Sequence, residues 1–161
     1  MSRRIWMLAV GVVAVGATVA AAVVGPTAAG GQKGPIELEI RLSDARSVIL
    51  DFNRNGRINR GERAVDRAPL RDPATGDRVG RAFLDCIAAT RIVPLRSGTW
   101  VCSYVLRLSE GHIILEGEDP AGEGPNVLAV TGGTGVYRDA RGQVDQMDFP
   151  DRSTYTIHLE P

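Results

Sequence analysis

Thr131-Gly132-Gly133-Thr134-Gly135-Val136-Tyr137-Arg138-Asp139-Ala140-Arg141-Gly142 is the stretch on which the fold turns. An apolar run that reads as a strand, Asn126-Val127-Leu128-Ala129-Val130, leads into it, and Gln143-Val144-Asp145-Gln146-Met147, which reads as another, leads away. Three glycines in four positions let the backbone take positive φ or approach another segment closely, so a structured turn is expected. A phosphate-cradling loop would end in Gly-Lys-Ser/Thr or open a long helix. Neither follows here, and a tight strand-to-strand connection is the better reading.

Outward from this loop the chain reads as β. In Ile36-Glu37-Leu38-Glu39-Ile40-Arg41-Leu42 apolar and charged residues alternate strictly, the period-2 pattern of a strand with one wet face. Further β-like runs lie at Arg81 to Val93, Trp100 to Leu108, His112 to Gly117, Val127 to Thr131, Gln143 to Met147 and Thr154 to Leu159, separated by Gly, Pro and Asp. No 3.6-residue periodicity of helical length follows the N-terminal segment, so an all-β barrel or sandwich is expected from pattern alone.

The motif Gly-Gly-Thr-Gly-x-Tyr-x-x-Ala-Arg-Gly after a Val-Leu-Ala-Val strand resembles the signature of the allene oxide cyclase barrel-like and dirigent-like proteins. The resemblance extends more loosely over Ile36 to Leu159, including Gly61-Glu62-Arg63 and Asp77-Arg78-Val79-Gly80-Arg81. It implies a single eight-stranded antiparallel β-barrel that binds a hydrophobic small molecule. It is specific for the fold and much less so for the activity.

Ser2-Arg3-Arg4, the uncharged run Ile5 to Val24 and the small-residue exit Gly25-Pro26-Thr27-Ala28-Ala29 have the layout of an export signal, cleaved after Ala29. The domains expected are therefore residues 1–29, the signal, and 30–161, the barrel; an uncleaved run 5–24 would instead anchor a cell-surface protein in the membrane. The paired arginines also resemble a twin-arginine signal. Without Arg3 and Arg4 the chain has 17 basic and 19 acidic residues, and no basic stripe suggests nucleic acid.

Cys86 and Cys102 fall on successive strands about the turn Pro94-Leu95-Arg96-Ser97-Gly98 and share parity across it, which predicts a disulfide in an exported protein. With Arg81 and Asp85 outward, Ala82, Leu84, Cys86 and Ala88 point in, as do Trp100, Cys102, Tyr104 and Leu106. The same alternation turns inward Ile36, Leu38, Ile40 and Leu42, then Ile113 and Leu115, then Tyr155, Ile157 and Leu159. His112 and His158 fall outward. The interior is thus expected to be apolar and poor in ionisable groups, with Leu38, Ile40, Leu84, Trp100, Leu106, Leu115 and Ile157 lining a ligand site.

Asp51-Phe52-Asn53-Arg54-Asn55-Gly56-Arg57-Ile58-Asn59-Arg60-Gly61-Glu62 matches the EF-hand loop template, with Asp51, Asn53, Asn55, the Arg57 carbonyl and Glu62 as calcium ligands. The flanks are not helical, and Arg54, Arg57, Arg60 and Arg63 add positive charge, so an Asn-Gly turn between strands is the simpler expectation.

With two His and two Cys, no Ser-His-Asp order or paired-cysteine metal spacing emerges, and a hydrolase is not favoured. Relatives implied by the resemblance act by holding a reactive substrate in one shape, which requires no strong acid or base. The expectation is a stereo-controlling cyclase or isomerase needing no cofactor. Tyr104 and Tyr155 would bond a substrate oxygen, and Tyr137 and Arg141 would hold a polar end or simply pin the loop. Inward Asp and Arg residues of the dirigent kind are not evident. A non-enzymatic carrier barrel and a structural surface module are the alternatives, and outward Val101 and Val105 would permit homo-oligomers.

Overall fold

A computed structural model describes residues 34–93 and 97–161. The expected signal segment and residues 94–96 of the turn between the cysteine strands lie outside the described residues.

Nine strands follow one another: β1 (Ile36–Arg41), β2 (Arg46–Leu50), β3 (Arg63–Arg71), β4 (Arg78–Ala88), β5 (Thr99–Leu108), β6 (Gly111–Pro120), β7 (Gly124–Gly133), β8 (Gly142–Asp148) and β9 (Arg152–Leu159). They form one antiparallel sheet in the order β1-β9-β8-β7-β6-β5-β4-β3-β2, and β1 also pairs with β3. That contact closes eight strands into a barrel and leaves β2 outside the ring. β1 and β2 lie end to end along one edge of β3: Arg46–Leu50 pairs with Arg67 back to Arg63, and Glu39 pairs with Arg71. The 3-10 turn Leu42–Asp44 separates them. Asp44 is tied back to β3 by Arg71, whose Nη2 donates to Asp44 Oδ2 at 2.8 Å and whose Nη1 donates to the Gly76 carbonyl at 2.9 Å.

Alternation builds the core. The inward positions Leu38, Leu70, Ala82, Leu106, Ile113, Leu115, Val144 and Ile157 are buried, and each Leu or Ile so removed from water contributes roughly 1.5–3 kcal/mol. Cys86 and Cys102 face each other in the β4–β5 ladder and form the disulfide, with Cα atoms 4.1 Å apart.

Two sequence expectations are corrected. Leu42 is 45% exposed, because β1 ends at Arg41 and the chain turns away before the next inward position. The segment Arg63-Ala64-Val65-Asp66-Arg67-Ala68-Pro69, the non-helical flank after the calcium-like loop and absent from the expected strands, is most of β3. Pro69 hides it, since proline argues against a strand interior. Here it falls between the residues that pair with β2 and the one that pairs with β1, where that edge of β3 carries no partner strand.

The register also sorts the connections. The β3–β4, β5–β6 and β7–β8 connections lie at one end of the barrel and the β2–β3, β4–β5, β6–β7 and β8–β9 connections at the other. The glycine-rich stretch is at the first end. Gly133 ends β7 against the carbonyls of Tyr137 and His112, and Gly135 sits at φ +63° against the Glu110 carbonyl; a Cβ at either would strike main chain. Gly132 has no such neighbour, so only two of the three glycines are required by the turn.

Candidate functional site

At the end away from the glycine loop, alternation carries polar residues into the barrel. On β6 the inward series Ile113, Leu115, Gly117 continues to Asp119; on β8, Val144 and Gln146 continue to Asp148; on β3, Ala64 and Ala68 flank Asp66. Asp66, Leu84, Trp100, Asp119 and Asp148 point inward yet are only partly buried. Inward side chains that solvent still reaches mark this end of the barrel. The rest of the interior is filled by Leu38, Leu106, Leu115, Ile157 and their neighbours.

Tyr104 and Tyr155 meet between the apolar and acidic parts, their ring centroids 6.3 Å apart in an edge-to-face arrangement. The Tyr104 hydroxyl donates to Asp119 Oδ2 at 2.7 Å, and Gln146 Nε2 donates to Asp148 Oδ2 at 2.8 Å. Burial pushes the Asp119 carboxyl up to about 6; the bond from Tyr104 opposes this, and the charge of Asp148 and then Asp66 adds to it. Burial likewise raises Asp66 and Asp148 above the ordinary carboxylate range. Both phenols are pushed upward, Tyr104 by burial and then by Asp119, Tyr155 by burial and then by Asp148. They therefore remain protonated donors, whereas Asp119 can give or take a proton near neutrality, where a general acid-base is most effective.

Two acceptors in this region lack a partner. Gln146 is 3% exposed and its Oε1 receives no hydrogen bond, nor does Asp66 Oδ1. Buried polar atoms are ordinarily paired, so these two are available to a donor on a bound molecule. Together the groups offer phenolic and carboxylic donors and an amide acceptor beside an apolar wall.

The structure brings together some of the predicted site residues and separates others. Tyr104 and Tyr155 are adjacent, and Leu38, Ile40, Leu84, Trp100, Leu106, Leu115 and Ile157 all belong to the core or pack against it. Tyr137 and Arg141 are at the opposite end. Tyr137 is 6% exposed and joins the buried core at that end. Arg141 is exposed, and its Nη1 donates to the Ala140 carbonyl at 2.7 Å while its own carbonyl accepts from the Glu160 amide at 2.9 Å. His112 and His158 lie on the outer face, His158 beside Asp145 at 3.1 Å.

The expectation of an interior poor in ionisable groups is overturned by Asp66, Asp119 and Asp148. The signal for them was parity. Ending the strands at Gly117 and Met147 stopped the inward series one step short of Asp119 and Asp148, and leaving β3 unassigned hid Asp66.

No family model and no curated protein sequence matches the chain. Solved structures do. A pyocyanin demethylase superposes with a TM-score of 0.64 at 23% identity, over 78% of this chain and 99% of its own. A pterocarpan synthase dirigent protein gives 0.61 at 18% identity, over 78% and 82%. A nonspecific heme-binding cyclase that catalyses a cycloaddition during neoabyssomicin biosynthesis gives 0.59 at 14%, over 81% and 66%. By fold, this chain is similar to these dirigent and cyclase barrels.

Proposed function

We propose that the barrel binds an apolar small molecule carrying a carbonyl and a hydroxyl group at the end around Asp119, and cyclises or isomerises it with stereocontrol. The observation that carries this reading is the Tyr104–Asp119 pair: a carboxyl poised near neutrality and hydrogen-bonded to a permanently protonated phenol, at the open end of an apolar barrel. The apolar wall fixes the conformer, which by orientation alone lowers a ring-forming barrier. Tyr155 and the protonated form of Asp119 donate to the substrate carbonyl as charge builds on it, and the unpartnered Gln146 Oε1 accepts from its hydroxyl. The names of the structurally similar cyclase and dirigent protein support a ring-forming reaction in such a barrel.

The test is turnover of a panel of linear polyenes bearing a conjugated carbonyl and a hydroxyl, followed by chiral chromatography. The reading expects one enantiomer in excess, and a loss of roughly a hundredfold or more in kcat for Asp119→Asn. Binding of the panel without turnover, unchanged by Asp119→Asn, would favour the carrier instead. The Cys86–Cys102 disulfide supports an oxidising compartment, and with it the export proposed from the N-terminal sequence.

A further inference from the structure

The connection between β2 and β3 carries a second group of polar atoms, apart from those around Asp119. Glu62 is 3% exposed, and while its Oε2 accepts from the Asn59 amide at 2.8 Å, its Oε1 has no partner. Asp51 repeats the pattern. Its Oδ2 accepts from the Gly56 amide at 2.8 Å, while Oδ1 is buried and unpartnered. Two carboxyl groups at the two ends of one loop, each with a buried oxygen that accepts no hydrogen bond, are costly unless a bound group takes those oxygens.

The surroundings supply the remaining ligands. Asp51, Asn53, Asn55, the Arg57 carbonyl and Glu62 hold the first, third, fifth, seventh and twelfth places of a calcium loop, with Gly56 at the sixth in positive φ. The Ile58 carbonyl accepts from the Ile92 amide at 3.0 Å, and the Glu62 carbonyl accepts from Ala88 at 2.8 Å, so the loop is fastened to the barrel rim without flanking helices. Of the arginines that weigh against a cation in the sequence, Arg54, Arg57 and Arg60 are exposed to solvent, and Arg63 is engaged by Asp85.

We infer that the loop Asp51 to Glu62 is a calcium site, in which Asp51 Oδ1 and Glu62 Oε1 complete the shell around one divalent ion and the ion fixes the loop on the barrel rim. With only two carboxylates, affinity of the extracellular kind is expected, a Kd of roughly 0.1–1 mM.

The experiment is isothermal titration of calcium chloride into the chelator-treated protein, with thermal unfolding at about 10 mM calcium beside it. One site in that range is expected, raising the folded-to-unfolded ratio roughly 10- to 100-fold. Asp51→Asn and Glu62→Gln should each weaken binding at least about tenfold, on the scale of one lost carboxylate ligand. Without calcium, Glu62→Gln should be no less stable than wild type, because the amide keeps an acceptor for the Asn59 amide and removes the unpartnered carboxyl oxygen. Absence of binding at about 10 mM, unchanged affinity in both variants, or an equal response to magnesium, which demands a stricter octahedral shell, would each overturn the assignment.

Discussion

The Tyr104 hydroxyl reaches four residues along the partner strand from its own register position, opposite Leu115, to donate to Asp119 at 2.7 Å. The pair joins the apolar floor of the barrel to its acidic mouth. Tyr104→Phe keeps the ring and removes only the donor, so Asp119 loses the bond that lowers its proton affinity. The variant should lose about 1–3 kcal/mol at neutral pH, and Asp119 should titrate higher than in wild type. Denaturant unfolding and carboxyl-carbon NMR check the two outcomes; a lower Asp119 titration point would contradict the pairing.

The acidic mouth also sets the direction of pH dependence. Asp119 titrates at about 6 in the folded chain against an ordinary 3.8, so the folded state holds that proton more tightly. Its contribution is fully present below the ordinary value and is lost as pH rises through about 6; Asp66 and Asp148, raised by burial, act in the same sense. Asp51, lowered by the Gly56 amide, acts oppositely, losing its contribution only in stronger acid. Asp119→Asn should therefore be more stable than wild type at pH 8, by up to about 2–3 kcal/mol, and the gap should shrink toward pH 5. Denaturant melts at the two pH values decide it, and a gap that grew on acidification would reverse the sign of the argument.

In the glycine loop the three glycines should separate. Gly135→Ala places a side chain at positive φ against the Glu110 carbonyl and should cost about 2–4 kcal/mol, whereas Gly132→Ala meets no main chain and should stay within about 0.5 kcal/mol. Equal losses in thermal unfolding would mean that the loop is held differently.

The disulfide closes a sequence separation of 16 residues, for which loop-closure entropy gives about 3 kcal/mol. Replacing both cysteines by alanine should lower stability by about that amount while leaving the fold intact by circular dichroism. An unchanged denaturation midpoint would show that the bridge adds nothing to the β4–β5 ladder.

Much of this fold is legible in alternation alone. Ile36 to Arg41 and Trp100 to Leu108 show their faces directly, and the shared parity of Cys86 and Cys102 gives the β4–β5 register. Barrel closure is less visible, because it rests on the pairing of Glu39 with Arg71, two charged residues distant in sequence, one of them on a strand masked by Pro69. The site was half legible. Tyr104 and Tyr155 follow from periodicity, but Asp119 and Asp148 stand at strand ends, where a polar residue reads equally well as the start of a turn. Tyr137 and Arg141 stand out through their motif, which lies at the opposite end of the barrel.

The most direct test of the central claim is NMR mapping of where an apolar hydroxy-enone binds the isotope-labelled protein. Perturbations should centre on Trp100, Tyr104, Asp119, Gln146 and Tyr155, and should fade in Asp119→Asn. Perturbations confined to Tyr137, Arg141 and the glycine loop, or none at saturating ligand, would contradict a site at the acidic mouth.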